Sequence, residues 1–251
     1  MAKQRYFIEL AYDGTAYHGW QVQPNAVTVQ EVLDKALATV LRKPVETTGC
    51  GRTDTGVHAT QFFAHFDCQV LGIEHQALEK IVRSLNAVLP DDIGVKRVFP
   101  IHEEAHARFD ATQRSYEYHI HFEKDPFRLN RSWELRDKPD IALMNAAARI
   151  MMEYTDFSCF SKSNTQTFTN NCKISRAEWM EHERGIIFHI SADRFLRNMV
   201  RAVVGTLVEI GRQEMPPESI RQIIESKNRS NAGTSVPACG LYLTEVKYPY
   251  F

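Results

Sequence analysis

The stretch QRYFIELAYDGTAYHGWQVQPNAVTVQEVLDKALATVLRK, residues 4–43, contains a strand pattern followed by a helix pattern. Its first eleven residues alternate in polarity and end in an Asp-Gly pair, which predicts a strand that runs into a turn. From Val29 onward apolar residues recur at helical spacing, and Thr28 with Glu31 has the spacing of a capping box at a helix start. The stretch therefore predicts an α+β fold.

The same alternation of strands and helices continues along the rest of the chain. Further strands are predicted at 59–66, 93–100, 114–123 and 240–251, and a hairpin at 173–193 with its turn near residues 183–185. Further helices are predicted at 75–90, 140–157, 196–212 and 216–228, the last with proline in its first turn. These elements predict two α+β units, each a sheet covered by helices, with a boundary near residues 100–112. Residues 161–171 are polar and predict a loop.

Composition and charge limit the classes of function. The 251 residues are 43% hydrophobic and 24% charged, which is typical of a soluble globular protein with one large domain or two small ones. No stretch approaches the roughly 18 consecutive apolar residues of a membrane helix, and the start has no apolar signal core. The 30 Lys+Arg against 31 Asp+Glu give a net charge of −1. This charge argues against a protein that coats nucleic acid through bulk charge, so any nucleic-acid binding requires a local basic patch.

The cysteines indicate a reducing compartment. There are five, an odd number, and they are widely spaced along a chain without an export signal: Cys50, Cys68, Cys159, Cys172 and Cys239. Reduced thiols in the cytosol are the natural interpretation, so we expect a cytoplasmic protein.

The motif GCGRTDTGVHA, residues 49–59, places Asp54 in a glycine-rich segment. Asp-Thr-Gly is also how an aspartic protease presents one of two carboxylates that share a proton. This chain has one copy of the tripeptide, is too long for the dimeric type, and has no apolar strand directly before Asp54, so the protease interpretation fails. A tight turn that ends at Asp54 is the simplest alternative, because Asp and Gly dominate turns.

A zinc site is a further interpretation of the same region. Cys50, His58, His65 and Cys68 lie close together in sequence, but their spacing contains no C-x-x-C or H-x-x-x-H pair. We therefore predict no metal ligands here. His119 and His121 share one face of a predicted strand, which is more typical of ordinary, partly exposed side chains.

Arginines cluster in RFLRNMVRAVVG, residues 194–205. On a helix Arg197 and Arg201 are four residues apart and share a face, with Arg194 close to it if the helix begins that early. This pattern is typical of a solvated basic face, and it also suits the pairing of arginine with a carboxylate or with phosphates. The residues alone leave both interpretations open.

Five segments, in this order, resemble the signature segments of the tRNA pseudouridine synthase A family. They are YDGTAYHGWQVQPNAVTVQEVLDKAL (12–37), GRTDTGVHA (51–59), HARFDATQRSYEY (106–118), NMVRAVVGTL (198–207) and GLYLTEVKYP (240–249). The resemblance spans almost the whole chain, and the central block is specific to this family. The chain departs from the family pattern at Thr55, where relatives commonly have Ala, and at Cys50, where they have another small residue. Residues 161–171 are also poorer in basic residues than in many relatives.

The resemblance implies a role for five residues. Asp54 is implied to be the catalytic aspartate, Tyr116 the aromatic residue that covers the target base, and Arg201 the arginine that pairs with the aspartate. Arg52 is implied to contact the RNA and help displace the base, and Leu241 to pack on the uracil.

The resemblance also implies a fold, a substrate and an assembly. The implied fold is α+β, with two ferredoxin-like α/β halves, sheets covered by helices, and the active cleft between the halves. Applied to this chain, residues 1–108 carry the aspartate and residues 109–251 carry the tyrosine and arginine. The implied substrate is uridine at positions 38, 39 and 40 in the anticodon stem-loop of tRNAs, and the implied assembly is a homodimer.

These residue types suit the reaction that the resemblance implies. A carboxylate must stay ionised in a site that excludes water, and a guanidinium partner opposes the rise in pKa that burial causes. A flipped base loses its stacking, which an aromatic ring such as Tyr116 partly restores, and its phenol can also accept the C5 proton. The conversion involves no oxidation or hydrolysis, so we predict no redox cofactor and no required metal. Attack at C6 of the base and attack at C1′ of the sugar both stay open, and a non-catalytic RNA-binding module is the alternative from another class.

Overall fold

The computed structural model describes residues 3–69, 75–162 and 169–251, and these form nine strands and five α-helices. The strands are β1 (Lys3–Tyr12), β2 (Thr48–Gly49), β3 (His58–Gln69), β4 (Ile93–Ile101), β5 (Gln113–His121), β6 (Trp133–Glu134), β7 (Ile174–His182), β8 (Gly185–Ala192) and β9 (Leu241–Lys247). The helices are α1 (Val29–Leu41), α2 (His75–Val88), α3 (Ile141–Met151), α4 (Met199–Gly211) and α5 (Ser219–Glu225). The predicted α+β class is confirmed, and most strand pairs are antiparallel.

Helix α1 begins where its capping pattern predicts. The Thr28 hydroxyl accepts a hydrogen bond from the Glu31 amide at 3.4 Å, which satisfies one of the free amides of the first turn. The helix ends at Leu41, and the following residue, Arg42, caps it with a left-handed φ of 55°.

The predicted ranges of three elements are longer than the elements in the structure. Helix α3 ends at Met151 rather than near residue 157, and β9 ends at Lys247 rather than at residue 251. Helix α5 begins at Ser219 with Glu218 as its N-cap, so the two prolines precede the helix instead of lying in its first turn. The loop predicted at 161–171 falls mainly on residues 163–168, which lie outside the described residues.

The chain divides into two compact units, with the C-terminal segment grouped with the N-terminal residues. The first unit contains Met1–Thr112 and Leu243–Phe251, and the second contains Gln113–Tyr242. The two halves expected from the sequence, 1–108 and 109–251, do not provide for the last nine residues, which group with the first unit.

In the first unit β1 is the central strand of an antiparallel sheet. It pairs with β3 on one side and β4 on the other, so that Tyr6 lies opposite Phe66 and Pro100. Helix α1 buries its apolar side, which contains Val29, Leu33, Ala36 and Leu37. On β1, Phe7 contacts rings of the C-terminal segment, with Tyr248 at 5.4 Å between ring centroids. These aromatic contacts explain why the last residues belong to this unit.

In the second unit β8 lies between β5 and β7, and both pairs are antiparallel. The β7–β8 hairpin turns between His182 and Gly185, as predicted. Helix α3 is fixed to β7 by Asn145, whose side chain exchanges two hydrogen bonds with the Trp179 backbone at 2.8 and 3.1 Å. Helix α4 is buried over most of its surface, so its few polar residues lie on an otherwise buried helix.

Among the residues that the structure describes, no helix has the length and apolarity required to cross a membrane.

Candidate functional site

Asp54 opens a four-residue turn between β2 and β3. The Val57 amide donates a hydrogen bond to the Asp54 carbonyl at 3.1 Å. Gly56, the third residue of the turn, has a φ of 77°, a conformation that favours glycine. A turn is therefore present at this position, but Asp54 begins it instead of ending it. Asp54 is half-buried while Arg52 and Thr55 are exposed, so the turn presents a partly accessible carboxylate.

The residue before this aspartate, Thr53, is held by the segment formed by residues 12–20, which we call the bracing segment. The hydroxyl oxygens of Thr53 and Tyr12 are 2.9 Å apart, and both side chains are buried. The Trp20 amide donates to the Thr53 carbonyl at 3.2 Å. Gly19 makes this approach possible, because its φ is 89° and a Cβ there would overlap the Thr53 carbonyl oxygen.

The bracing segment also holds the far end of the turn. The Gly56 amide donates to the Tyr17 carbonyl at 3.3 Å. The Gly14 amide donates to Nδ1 of the buried His58 at 3.0 Å. A Cβ on Gly14 would overlap the Val57 carbonyl oxygen, so glycine is required for this contact. The backbone on either side of Asp54 is therefore anchored by one segment.

No specific role was predicted for the bracing segment, although its residues belong to the first block of the family resemblance. A signal was present, because two glycines lie five residues apart in a segment rich in aromatic residues. Glycines in such a setting often mark a close approach of two backbones. The contact partner could not be read from the segment itself.

Tyr116 lies on β5 in the second unit and is half-buried. Its ring meets the Phe195 ring edge-on, with 5.1 Å between centroids and 87° between planes. Tyr118, two residues along the same strand, is fully buried and its hydroxyl donates to the Pro237 carbonyl at 2.7 Å. Burial raises the pKa of Tyr118. Tyr118 therefore packs in the core, whereas Tyr116 stays partly exposed.

Arg201 lies in the first turn of α4. Its Nε donates to the Val236 carbonyl at 2.7 Å, and the Val236 amide donates back to the Arg201 carbonyl at 3.3 Å. One turn later, a Cβ on Gly205 would overlap the Thr234 carbonyl oxygen. Residues 234–236 thus lie directly against α4 and fix the plane of the guanidinium.

The arginine face predicted for α4 is wrong for two of its three members. The helix begins at Met199, after Asn198 with a left-handed φ of 65°. Arg194 and Arg197 therefore precede the helix, and the four-residue spacing from Arg197 to Arg201 does not place them on one helical face. The apolar periodicity continues back to Leu196, but the left-handed backbone of Asn198 cannot belong to an α-helix, so the helix begins only after it.

Leu241 is the first residue of β9 and is buried. It follows the 3-10 turn Ala238–Gly240. Gly240 lies so close to the Tyr118 ring that a Cβ would contact it at 2.8 Å. Leu241 is thus placed by packing against β5.

The histidines considered as zinc ligands bond to the backbone instead. His58 accepts from the Gly14 amide, and Nδ1 of His65 accepts from the Ala107 amide at 3.1 Å. Burial lowers the pKa of His65 to about 4, so it is neutral near pH 7. In the described part of the chain, no group of three His, Cys, Asp or Glu residues is arranged to hold a metal ion.

The five residues assigned by the resemblance are distributed over both units. Arg52 and Asp54 belong to the first unit, and Tyr116, Arg201 and Leu241 belong to the second. Within the second unit, Arg201 of α4 bonds to the Val236 carbonyl, and Tyr118 of β5 bonds to the carbonyl of the next residue, Pro237. Helix α4 and strand β5 therefore contact the same short segment.

Comparison with known families gives an independent view of the chain. The sequence profile described as tRNA pseudouridine synthase matches residues 10–110 and 153–249. The matched ranges contain Arg52, Asp54, Arg201 and Leu241, whereas Tyr116 lies between them.

Curated relatives match along nearly the full length. A tRNA pseudouridine synthase A of Bacteroides fragilis is 51% identical over 250 residues, which cover 99% of this chain and 98% of the relative. The protein of that name from Parabacteroides distasonis is 47% identical over 247 residues, covering 98% and 96%. The one from Clostridium acetobutylicum is 36% identical over 243 residues, covering 96% and 98%.

Proposed function

This chain belongs to the tRNA pseudouridine synthase family, and from that premise we propose that it converts uridine to pseudouridine at positions 38, 39 and 40 in the anticodon stem-loop of tRNAs. Membership of the family makes it an isomerase that acts on uridine in tRNA. The positions and the roles of individual residues are the proposal.

The bonds that change set the requirements of the site. The glycosidic bond between N1 and C1′ breaks, the base turns, C5 bonds to C1′, and the proton on C5 is lost while N1 gains one. No electrons are gained or lost overall, so the reaction calls for no redox cofactor. It does call for a nucleophile, a surface that holds the detached base, and a proton acceptor.

Asp54 is the nucleophile in this proposal, attacking either C6 of the base or C1′ of the sugar. One observation carries the assignment: a partly accessible carboxylate stands on a turn whose backbone is anchored on both sides by the bracing segment. A nucleophile must be held within a narrow range of positions relative to the reacting atom, and an anchored turn meets that need. A solvated turn would not require buried hydroxyl contacts and two close glycine approaches.

Arg201 keeps Asp54 ionised in this proposal. A guanidinium is permanently charged and has five N–H donors, so a bond from Nε to Val236 is compatible with bidentate pairing to a carboxylate through the terminal nitrogens. Such a partner lowers the pKa of a carboxyl that desolvation would otherwise raise.

Tyr116, Leu241 and Arg52 act on the substrate in this proposal. The half-buried ring of Tyr116 stacks on the flipped uracil, and its phenol accepts the C5 proton. Leu241 packs on the uracil, and Arg52, which is exposed, contacts the RNA and helps displace the base.

The proposal also includes the assembly. The two halves are ferredoxin-like with the active cleft between them, and the enzyme acts as a homodimer in the cytoplasm. Support for the dimer comes from the net charge of −1, because a chain without bulk positive charge needs basic residues gathered locally to attract tRNA.

The test uses the purified chain and tRNA transcripts. We expect pseudouridine, detected by carbodiimide-dependent stops in reverse transcription, at positions 38, 39 and 40 and at no other uridine. Transcripts with cytidine at these three positions are the matched control and should give no product. Product confined to uridines outside the anticodon stem-loop would contradict the proposed positions, and an active Asp54→Asn variant would contradict the proposed nucleophile.

A further inference from the structure

We infer that Tyr12 is a positioning residue for Asp54: its hydroxyl, through Thr53, holds the peptide from which the carboxylate projects. This inference rests on the proposed role of Asp54 as the nucleophile.

Tyr12 is itself held firmly. It is the last residue of β1, the central strand of the first unit, and it lies opposite Ala59 on β3 and Ile93 on β4. Its ring is 5.6 Å from the Phe62 ring and 6.3 Å from the Trp20 ring, and only 4% of the residue is exposed. The phenol oxygen therefore has a fixed position relative to the sheet.

This fixed oxygen meets the residue directly before Asp54. The hydroxyls of Tyr12 and Thr53 form a buried hydrogen bond at 2.9 Å. On the opposite side, the Trp20 amide binds the Thr53 carbonyl at 3.2 Å. Because the peptide that joins Thr53 to Asp54 is planar, fixing Thr53 at its side chain and at its carbonyl fixes the orientation of the Asp54 amide and Cα.

Loss of the Tyr12 hydroxyl should lower the rate of the chemical step and not the affinity for tRNA. If the Tyr12 hydroxyl is removed, the Thr53 side chain loses its partner and the peptide gains freedom to rotate. A displacement of about 1 Å at a reacting group can slow a reaction about 100-fold. In the proposed function the nearest tRNA contact is the exposed side chain of Arg52, which the Tyr12 hydroxyl does not hold directly, so affinity for tRNA should change little.

The bracing segment offers a matched control in Tyr17. Its hydroxyl donates to Asp92 at 2.5 Å, a bond of at least equal strength that does not involve the turn. The Tyr17 carbonyl, which accepts from Gly56, is unchanged by a side-chain substitution. Tyr17→Phe therefore removes a comparable hydrogen bond from the same segment and leaves the Asp54 peptide anchored.

The experiment compares Tyr12→Phe, Tyr17→Phe, Thr53→Val and the Tyr12→Phe/Thr53→Val double variant. We measure the single-turnover rate of pseudouridine formation at saturating tRNA, the Kd for tRNA by filter binding, and the urea midpoint of unfolding. We expect Tyr12→Phe and Thr53→Val each to be about 10- to 100-fold slower, with Kd within about twofold of wild type. The double variant should be no slower than the slower single variant, because both changes remove one bond.

Tyr17→Phe should keep the wild-type rate even if its urea midpoint falls as far as that of Tyr12→Phe. A Tyr12→Phe rate within about twofold of wild type, or equal rate losses in Tyr12→Phe and Tyr17→Phe, overturns the positioning role. Should Tyr12→Phe fail to fold, Thr53→Val against Tyr17→Phe decides in the same way. Asp54→Asn in the same assay distinguishes failure of the proposed nucleophile from failure of the positioning role. An active Asp54→Asn variant would contradict the nucleophile assignment. An inactive Asp54→Asn variant together with a fully active Tyr12→Phe variant would contradict the positioning role alone.

Discussion

The turn that carries Asp54 and the helix that carries Arg201 reach a fixed side chain by different means. The turn has no repeating backbone hydrogen bonds of its own, and its orientation depends on contacts from the bracing segment, residues 12–20. Helix α4 sets the Arg201 backbone mainly through its own hydrogen bonds, and Val236 adds one bond to the guanidinium and one to the Arg201 carbonyl.

Asp54 and Arg201 are therefore sensitive to different kinds of change. A change that breaks a contact between the bracing segment and the turn should move the Asp54 backbone, because the turn has only one backbone hydrogen bond of its own, from Val57 to Asp54, to oppose the movement. A small change beside α4 should leave Arg201 in place, because the helix opposes it. Substitutions in the two regions test this contrast.

Asp54→Asn should abolish product formation. The amide retains the shape of the side chain but is not a nucleophile, so pseudouridine should fall below detection while the Kd for tRNA stays near wild type. The measurement is pseudouridine in tRNA after overnight incubation, with deamidation excluded by mass spectrometry. Asp91→Asn, which alters an exposed aspartate of the same unit, is the control and should be fully active.

Arg201→Met should be severely impaired, because it leaves the proposed carboxylate without its compensating charge, a defect typically of about 3–5 kcal/mol. Arg201→Lys retains a charge without the fork and should do better than Met. Single-turnover rates measure both. Arg212→Met, at the other end of α4 and paired with the exposed Asp137 at 3.8 Å, is the control. If Arg201→Met changed only the salt dependence of tRNA binding, Arg201 would be a phosphate contact instead.

Tyr116→Phe should slow the reaction by about 10²–10⁴-fold, because it removes the proposed proton acceptor and keeps the ring. Tyr116→Leu should also weaken tRNA binding, since the stacking surface is lost as well. The measurement is tritium release from C5-labelled uridine in tRNA under single-turnover conditions. Tyr118→Phe removes the buried hydrogen bond to Pro237 and should lower stability without slowing tritium release. A Tyr116→Phe rate within a few-fold of wild type would leave Tyr116 with stacking alone.

The sequence predicted the elements that have a strong local signal. The apolar periodicity and the Thr28 cap predicted α1, and the polar turn between two alternating strands predicted the β7–β8 hairpin. The Asp-Thr-Gly turn was also predictable, because Gly56 supplies the positive φ that such a turn needs.

What escaped prediction depends on contacts between distant residues. Periodicity extended α4 back over Arg197, because the left-handed conformation of Asn198 has no signature in polarity. The pairing of Tyr12 with Thr53 spans 41 positions, and that of Arg201 with Val236 spans 35. Such contacts follow from tertiary packing, which a single sequence does not specify. The resemblance supplied candidate residues, but it did not supply the segments that hold them.

The smallest effect on the reaction is expected from Gly205→Ala, a substitution beside α4 that should lower stability without moving Arg201. Gly205→Ala puts a Cβ into the Thr234 carbonyl oxygen, so residues 234–236 must shift, at a cost of about 1–3 kcal/mol in the free energy of unfolding. Gly94→Ala is the matched control, because its Cβ would meet no atom within 4 Å, and it should change stability by at most about 0.5–1 kcal/mol.

Urea unfolding measures these free energies, and the single-turnover rate of the folded variant measures placement. Because α4 holds the Arg201 backbone, we expect Gly205→Ala to lose no more than a few-fold in rate despite its loss of stability. Gly19→Ala, which strains a φ of 89° and displaces the Thr53 carbonyl, should lose far more rate for a similar loss of stability. Equal rate losses in Gly205→Ala and Gly19→Ala would mean that the helix protects Arg201 no better than the bracing segment protects Asp54, and the contrast between the two regions would not hold.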